Sequence, residues 1–238
     1  MPSDTPSFAQ RAQLTEWMDE PCSYEEFRAC LRDLMQVNRM VLAYRPTLRW
    51  LEQFAARASR PLHIVDVGSG AGDMLRRIEA WAREKHIAVR LTGIDLNPHA
   101  ARAAQEFTSS SSRIEWLTCD ASQYAPPEGI DLVISSLLTH HLTDDQTVRF
   151  LQWMERTAAR GWFINDLHRT HHTYLGFTLL ARVMRWHRFV RHDGPVSIQR
   201  SFTRQDWLRY TQQAGLAASV LQVEDAWPGR LCVARVKG

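Results

Sequence analysis

The stretch HIVDVGSGAGD, from His63 to Asp73, constrains this chain more than any other. Its apolar half, rich in branched residues, reads as a strand buried on both faces. It runs straight into glycines at 68, 70 and 72, which free the backbone to turn sharply before a helix. A strand, a glycine turn and a helix in succession are the unit of a layered α/β fold, with the turn at the carboxyl edge of the sheet.

The rest of the chain repeats the unit. Strands are expected at Leu62–Val67, Ala88–Ile94, Ile114–Thr118, Ile130–Ser135 and Gly161–Asn165. Helices are expected over Asp73–Glu84 and from about Pro98 to Phe107, with another after the capping signal Thr143-Asp144-Asp145-Gln146. Thr203-Arg204-Gln205-Asp206 opens a further helix ending near Gly215. Ala217–Val223 and Leu231–Val236 then close the chain as two strands paired antiparallel across Pro228-Gly229. Before the sheet, residues from about 5 to 59 read as helices. One is opened by Ser23-Tyr24-Glu25-Glu26 and runs through about Met40; Pro46 breaks or restarts the pattern, and Thr47 to Ala58 forms another.

At 238 residues the chain is long enough for one α/β domain with an appendage, and its core needs no disulfide or metal. A net charge of +3 argues neither for nor against nucleic acid. Cys22, Cys30, Cys119 and Cys232 are scattered with no CxxC pair, so free thiols and a reducing, cytoplasmic setting are expected. The polar, acid-bearing N-terminus does not resemble a secretory signal. No apolar run approaches the roughly 18 residues of a membrane span.

The glycine turn raises the question of what it holds. A dinucleotide fingerprint needs G-x-G-x-x-G, but here the third position is Asp73, whose carboxylate would repel phosphate. The absence of Gly-Lys-Ser/Thr excludes a P-loop. Asp66-Val67-Gly68-Ser69-Gly70-Ala71-Gly72 instead resembles motif I of the class I S-adenosylmethionine-dependent methyltransferases. Three further stretches resemble that family in order: Thr92-Gly93-Ile94-Asp95-Leu96-Asn97, Leu117-Thr118-Cys119-Asp120-Ala121, and the strand Ile130-Asp131-Leu132-Val133-Ile134-Ser135-Ser136.

The resemblance implies a Rossmann-like, doubly wound α/β sheet, with parallel strands plus a terminal antiparallel strand. It also implies S-adenosylmethionine as cofactor. Gly68, Ser69, Gly70 and Gly72 would lie against its amino-acid end and Asp66 would orient its ammonium. Asp95 would accept both ribose hydroxyls, and Leu96 would lie against the adenine. Asp120, beside Ala121, would accept from the adenine amine, with Ser135 at the end of the fourth strand. The expected domains are an N-terminal helical cap over residues 1–59 and a methyltransferase domain over 60–238, with a lid insert at about 168–200.

The insert is basic. Residues 168–192 hold five histidines (168, 171, 172, 187, 192), five arginines (169, 182, 185, 188, 191) and no acid, interleaved with bulky apolar residues. They read as one amphipathic helix over about 173–190. It is either a lid over a small-molecule pocket, with Met35–Arg45 as the opposite wall, or a helix simply packed on the core. An amphipathic basic helix also suits a lipid-like substrate and transient contact with a membrane surface.

Methyl transfer to a phenol needs a base of pKa near 7. His141 or His168 is the expected base, with His140 beside it and Asp166 orienting a histidine or the substrate. The alternative is that His140 and His141 pack and cap ahead of the Thr143 helix. The Asn/Asp-Pro-Pro-aromatic motif of nucleic-acid amino-methyltransferases is replaced by Ser135-Ser136-Leu137-Leu138, so nucleic acid is not expected. Asn165-Asp166-Leu167-His168-Arg169 and Ser197-Ile198-Gln199-Arg200-Ser201-Phe202-Thr203 look like a branch near the ubiquinone/menaquinone C-methyltransferases. Phenolic, polyketide or quinol-like substrates follow from that likeness. The expectation is O-methylation of a small aromatic hydroxyl, with C-methylation of a ring, or cofactor binding without transfer, as rivals. No metal site is expected, because His168, His171 and His172 lack carboxylate partners and adjacent helical histidines point to different faces.

Overall fold

The hexad Leu62–Val67 forms strand β1, buried along its whole length, as a strand covered on both faces must be. The computed structural model describes residues 8–55, 60–184, 186 and 188–237. The helix end expected at 56–58, the start near residue 5, Arg185 and His187 lie outside the described residues.

Beside β1 stand β2 (Val89–Asp95), β3 (Glu115–Thr118), β4 (Ile130–Ser136) and β5 (Ala158–Leu167), all parallel. The closing strands β6 (Leu221–Ala226) and β7 (Arg230–Val236) are antiparallel to one another, and β7 is antiparallel to β5. The sheet order is β3-β2-β1-β4-β5-β7-β6. It reverses direction of travel at β1, whose neighbours are β2 on one side and β4 on the other. An open parallel sheet holds ligands at such a switch point, beyond the carboxyl ends of the strands. The register aligns those ends, because Val67 pairs with both Ile94 and Ser135.

Helices α1 (Tyr24–Met40) and α2 (Arg45–Ala55) precede the sheet, and α3 (Asp73–Glu84), α4 (Pro98–Glu106) and α5 (Asp144–Thr157) connect its strands. Local chemistry sets their starts. Ser23 Oγ accepts from Glu26 N, Asn97 caps α4 ahead of Pro98, and Thr143 with Gln146 completes a capping box on α5. Pro46 restarts the helical pattern at the second position of α2. Along β5 successive side chains serve opposite layers. Trp162 packs with Leu151, Met154 and Trp207, and Phe163 with Trp50, Phe54 and Leu75.

The basic insert corrects one expectation. It is not a single helix over 173–190 but two, α6 (His171–Val183) and α7 (Arg188–Arg200), followed by α8 (Arg204–Gln213). The break falls where Trp186 is buried against Cys30, Val37 and Ala181. Burying that ring outweighs continuing the helix. Gly194 permits the crossing, since a Cβ there would stand 1.9 Å from the Phe177 ring. α1 spans between layers. Tyr24, Phe27 and Leu31 pack over Ala71 and α4, while Cys30 and Val37 meet Trp186, Phe189 and Val190. Helix is thus laid on both sides of the switch point.

Candidate active site

The turn after β1 is shaped by what it must pass. Gly68 has φ +73° and a Cβ there would be 2.9 Å from Leu138; Gly72 has φ +73° and would be 2.1 Å from Trp116. A side chain at either position is both strained and obstructed. The turn's amides are already engaged. Gly68 and Ser69 donate to the Ile94 carbonyl, and Gly70 donates to Asp95 Oδ2 at 2.9 Å. A phosphate would find few donors here, which agrees with the exclusion of a dinucleotide.

Asp95 accepts one backbone N–H on each oxygen, from Gly70 and Asn97, both at 2.9 Å. A carboxylate oxygen has two acceptor sites, so one remains on each for a vicinal diol. Burial pushes the Asp95 carboxyl above its ordinary range, against these hydrogen bonds. Asp66 is only 2% exposed, and its Oδ1 has no hydrogen-bond partner among the described residues. Burial, then the charges of Asp73 and Asp95, push its carboxyl well above the usual carboxylate range. Such an orphaned acceptor is suited to a ligand cation, and S-adenosylmethionine carries an ammonium at the end expected to lie here.

These residues line a cavity of about 790 Å³ whose other walls come from α1, α6 and α7. Asp66, Gly68, Ser69, Gly70 and Asp95 face it, as do Met35, Asn38 and Tyr44 from the expected opposite wall. Five expected cofactor residues are placed otherwise. Leu96 is 74% exposed outside the lining. Asp120, exposed, accepts from Ser122 N at 2.8 Å and caps the short turn that holds Ala121. Ser135 is buried and donates to the Val67 carbonyl, tying β4 to β1, while the cavity is faced by its successors Ser136, Leu137 and Leu138. Gly72 sits behind the turn against Trp116. Leu96 and Asp120 follow β2 and β3 and lie outside the cavity.

The loop after β4 is a 3-10 turn, Thr139–His141, and it brings the catalytic candidates together. His140 is 3% exposed, with Nδ1 2.7 Å from Asp166 Oδ1. Asp166, at the end of β5, also accepts from the Thr139 hydroxyl, the His140 backbone N–H and Leu167 N. Burial opposes its charge, but the His140 ring and these hydrogen bonds prevail and hold its carboxyl below the usual carboxylate range. Asp166 is outside the cavity lining and is bonded to the His140 ring. His141 lines the cavity with Nδ1 3.1 Å from Asp19 Oδ1. Neither histidine caps α5, which is capped by Thr143. His168 is not brought to this site. Its Nδ1 lies 2.8 Å from Asp225 Oδ1 on β6, outside the lining.

Three residues of the site have no local signal in the sequence. Glu16 is buried opposite both histidines, with Oε1 3.7 Å from His140 Nε2 and Oε2 3.8 Å from His141 Nε2. Burial pushes its carboxyl up to about 7, against the pull of His141 and Arg200. Arg200 bonds Asp19 Oδ2 at 2.8 Å. The acids of the N-terminal stretch carry no pattern of their own, and the fold sets them against the loop after β4 and α7.

A family model described as a methyltransferase domain matches residues 64–161. A non-reducing polyketide synthase of Penicillium shearii, esdpA, is 24% identical over 181 residues, 66% of this chain and 8% of that protein. The chain therefore spans a small fraction of the curated relative it matches. Among solved structures, the plantazolicin methyltransferase BpumL in complex with SAH aligns at a TM-score of 0.62 and 13% identity, over 90% of this chain and 96% of that one. Human N-acetylserotonin methyltransferase in complex with SAM aligns at 0.60 and 17%, over 91% and 57%. At such identities the likeness is one of fold, and it extends through the helices on either side of the sheet. Residues 64–161 thus match a methyltransferase-domain model, and the chain shares its fold with methyltransferases solved with SAM or SAH bound.

Proposed function

We propose that this chain transfers a methyl group from S-adenosylmethionine to a hydroxyl of a small aromatic, phenolic or polyketide-like molecule. The observation that carries this reading is a mixed cavity. Its walls from α1, α6 and α7 are largely apolar, with Leu31, Met35, Phe177 and Leu180 among them, and one corner bears His140 and His141. A flat apolar ring fits such walls, with the histidine corner able to receive its hydroxyl. The similarity to a polyketide synthase supports the substrate class.

The cofactor supplies a sulfonium methyl group, open to in-line attack. The chain's residues do the rest. Asp66 balances the ammonium, and Asp95 holds the ribose hydroxyls with its two remaining acceptor sites. α1 acts as a cap and the α6–α7 pair as a lid, keeping water from the acceptor. The histidine corner receives the acceptor hydroxyl and draws off its proton, with Asp166 and Asp19 fixing the two rings.

Incubation with methyl-labelled cofactor and a panel of phenols and quinols, read by mass spectrometry and NMR, tests this. An O-methyl ether is expected. A C-methylated ring would place the chain with the quinone C-methyltransferases instead. Cofactor binding without product over the whole panel would sink the transfer reading.

A further inference from the structure

We propose that Glu16, His140 and His141 bind a divalent transition-metal ion, such as Zn²⁺ or Fe²⁺, at the polar corner of the cavity, where the acceptor hydroxyl docks. This rests on the reading of that corner as the acceptor site. One donor atom from each residue falls in a group whose members lie within 4.8 Å of one another. Ligands held by one such ion at about 2.0–2.2 Å stand roughly 3–3.5 Å apart, so short side-chain adjustments complete the site.

The protons make the stronger case. Each Nδ1 is committed to a carboxylate, His140 to Asp166 at 2.7 Å and His141 to Asp19 at 3.1 Å. A neutral imidazole that donates from Nδ1 presents a bare lone pair at Nε2. Both Nε2 atoms face Glu16, at 3.7 and 3.8 Å. Glu16 is itself an acceptor, and its buried Oε1 has no hydrogen-bond partner among the described residues. Three acceptors are therefore turned toward one another, with Arg200 near Glu16 Oε1 shared with Asp19, an arrangement that a cation between them satisfies. The carboxylate behind each histidine is the support that metal-binding imidazoles usually carry.

Charge agrees. Glu16 and Asp19 share one guanidinium, that of Arg200, whose Nη1 is 3.4 Å from Glu16 and 2.8 Å from Asp19. Two imidazoles and one carboxylate favour zinc or iron over magnesium or calcium. All three ligands line the cavity, so the ion's free positions face an entering ligand. A hydroxyl bound there would lose its proton more readily, to solvent, and with the ion in place the two imidazoles act as ligands rather than as the base. The expectation that His140 and His141 diverge fails because they stand on a 3-10 turn, not an α-helix, with ring centroids 4.3 Å apart.

The test uses full-length protein stripped with EDTA and titrated with Co²⁺, read by visible absorption and by metal analysis after desalting. One equivalent is expected, displaced by Zn²⁺. Glu16→Gln and His141→Ala should each weaken it at least tenfold while leaving S-adenosylhomocysteine affinity unchanged, which shows that both variants are folded. No stoichiometric uptake by wild type, or wild-type uptake by both variants, overturns the proposal. Full turnover by metal-free protein also overturns it, yet leaves methyl transfer standing. Stoichiometric Co²⁺ uptake without S-adenosylhomocysteine binding upholds the metal site and strikes the methyltransferase reading instead.

Discussion

Asp166 Oδ1 lies 2.7 Å from His140 Nδ1, joining the end of β5 to the loop after β4. The pair fixes which nitrogen of the ring is free for chemistry. His140→Gln keeps a polar side chain but loses that nitrogen. We expect kcat to fall by on the order of 100-fold or more, with S-adenosylhomocysteine affinity within twofold of wild type. Steady-state kinetics beside calorimetry check the split, and equal losses in both would move His140 out of the acceptor corner.

Two glycines of one turn should fail differently. A Cβ at Gly72 meets the Trp116 ring at 2.1 Å, whereas at Gly70 the nearest atom is from Leu31, at 3.9 Å. Both have positive φ, which costs an alanine about 1 kcal/mol. Gly72→Ala should therefore lower the melting temperature markedly. Gly70→Ala should lose little stability but much cofactor affinity, because its new methyl group stands in the cavity. Thermal melts with and without S-adenosylhomocysteine separate the two.

Cofactor affinity should rise with pH through Asp66. Its folded pKa lies above that of an unfolded carboxyl, so its contribution to stability is full below about pH 4 and is lost as pH rises through the raised value. A ligand ammonium prefers the ionised form, which becomes populated over that same rise. S-adenosylhomocysteine should bind more tightly at pH 7.5 than at 5.5, and Asp66→Asn should flatten the trend. A pH-independent Kd in the wild type would disconnect Asp66 from the ammonium.

The apolar walls from α6 and α7 predict a preference among acceptors. Phe177, Leu180 and Val190 line the cavity from α6 and α7. A phenol bearing an alkyl tail should show a higher kcat/KM than its tail-less parent. Equal values would remove the lipid-like substrate from consideration.

Much of the fold was legible because its signals are local. The Thr143–Gln146 box, Asn97 before Pro98 and the apolar run into Gly68 each act within a few residues. Asp66, Gly68, Gly70 and Asp95 line the cavity for the same reason, since they stand at or just beyond the ends of β1 and β2. Features set by distant partners were not legible. β5 extends from Ala158 to Leu167, beyond the expected Gly161–Asn165, because β4 and β7 pair with it on both sides. Trp186 ends a helix only because α1 offers it a buried berth. Glu16 and His140 are 124 positions apart, and no periodicity in either segment points to the other. The sequence offers His168 as a base on equal terms with His141, but the register of β6 sets Asp225 beside it.

Calorimetric titration of S-adenosylhomocysteine into wild type and Asp95→Ala tests the central claim most directly. Saturable one-to-one binding, weakened at least tenfold by Asp95→Ala (about 1.4 kcal/mol), is the expected result. No binding by wild type at millimolar ligand would contradict it and leave the glycine turn as an element of the fold alone.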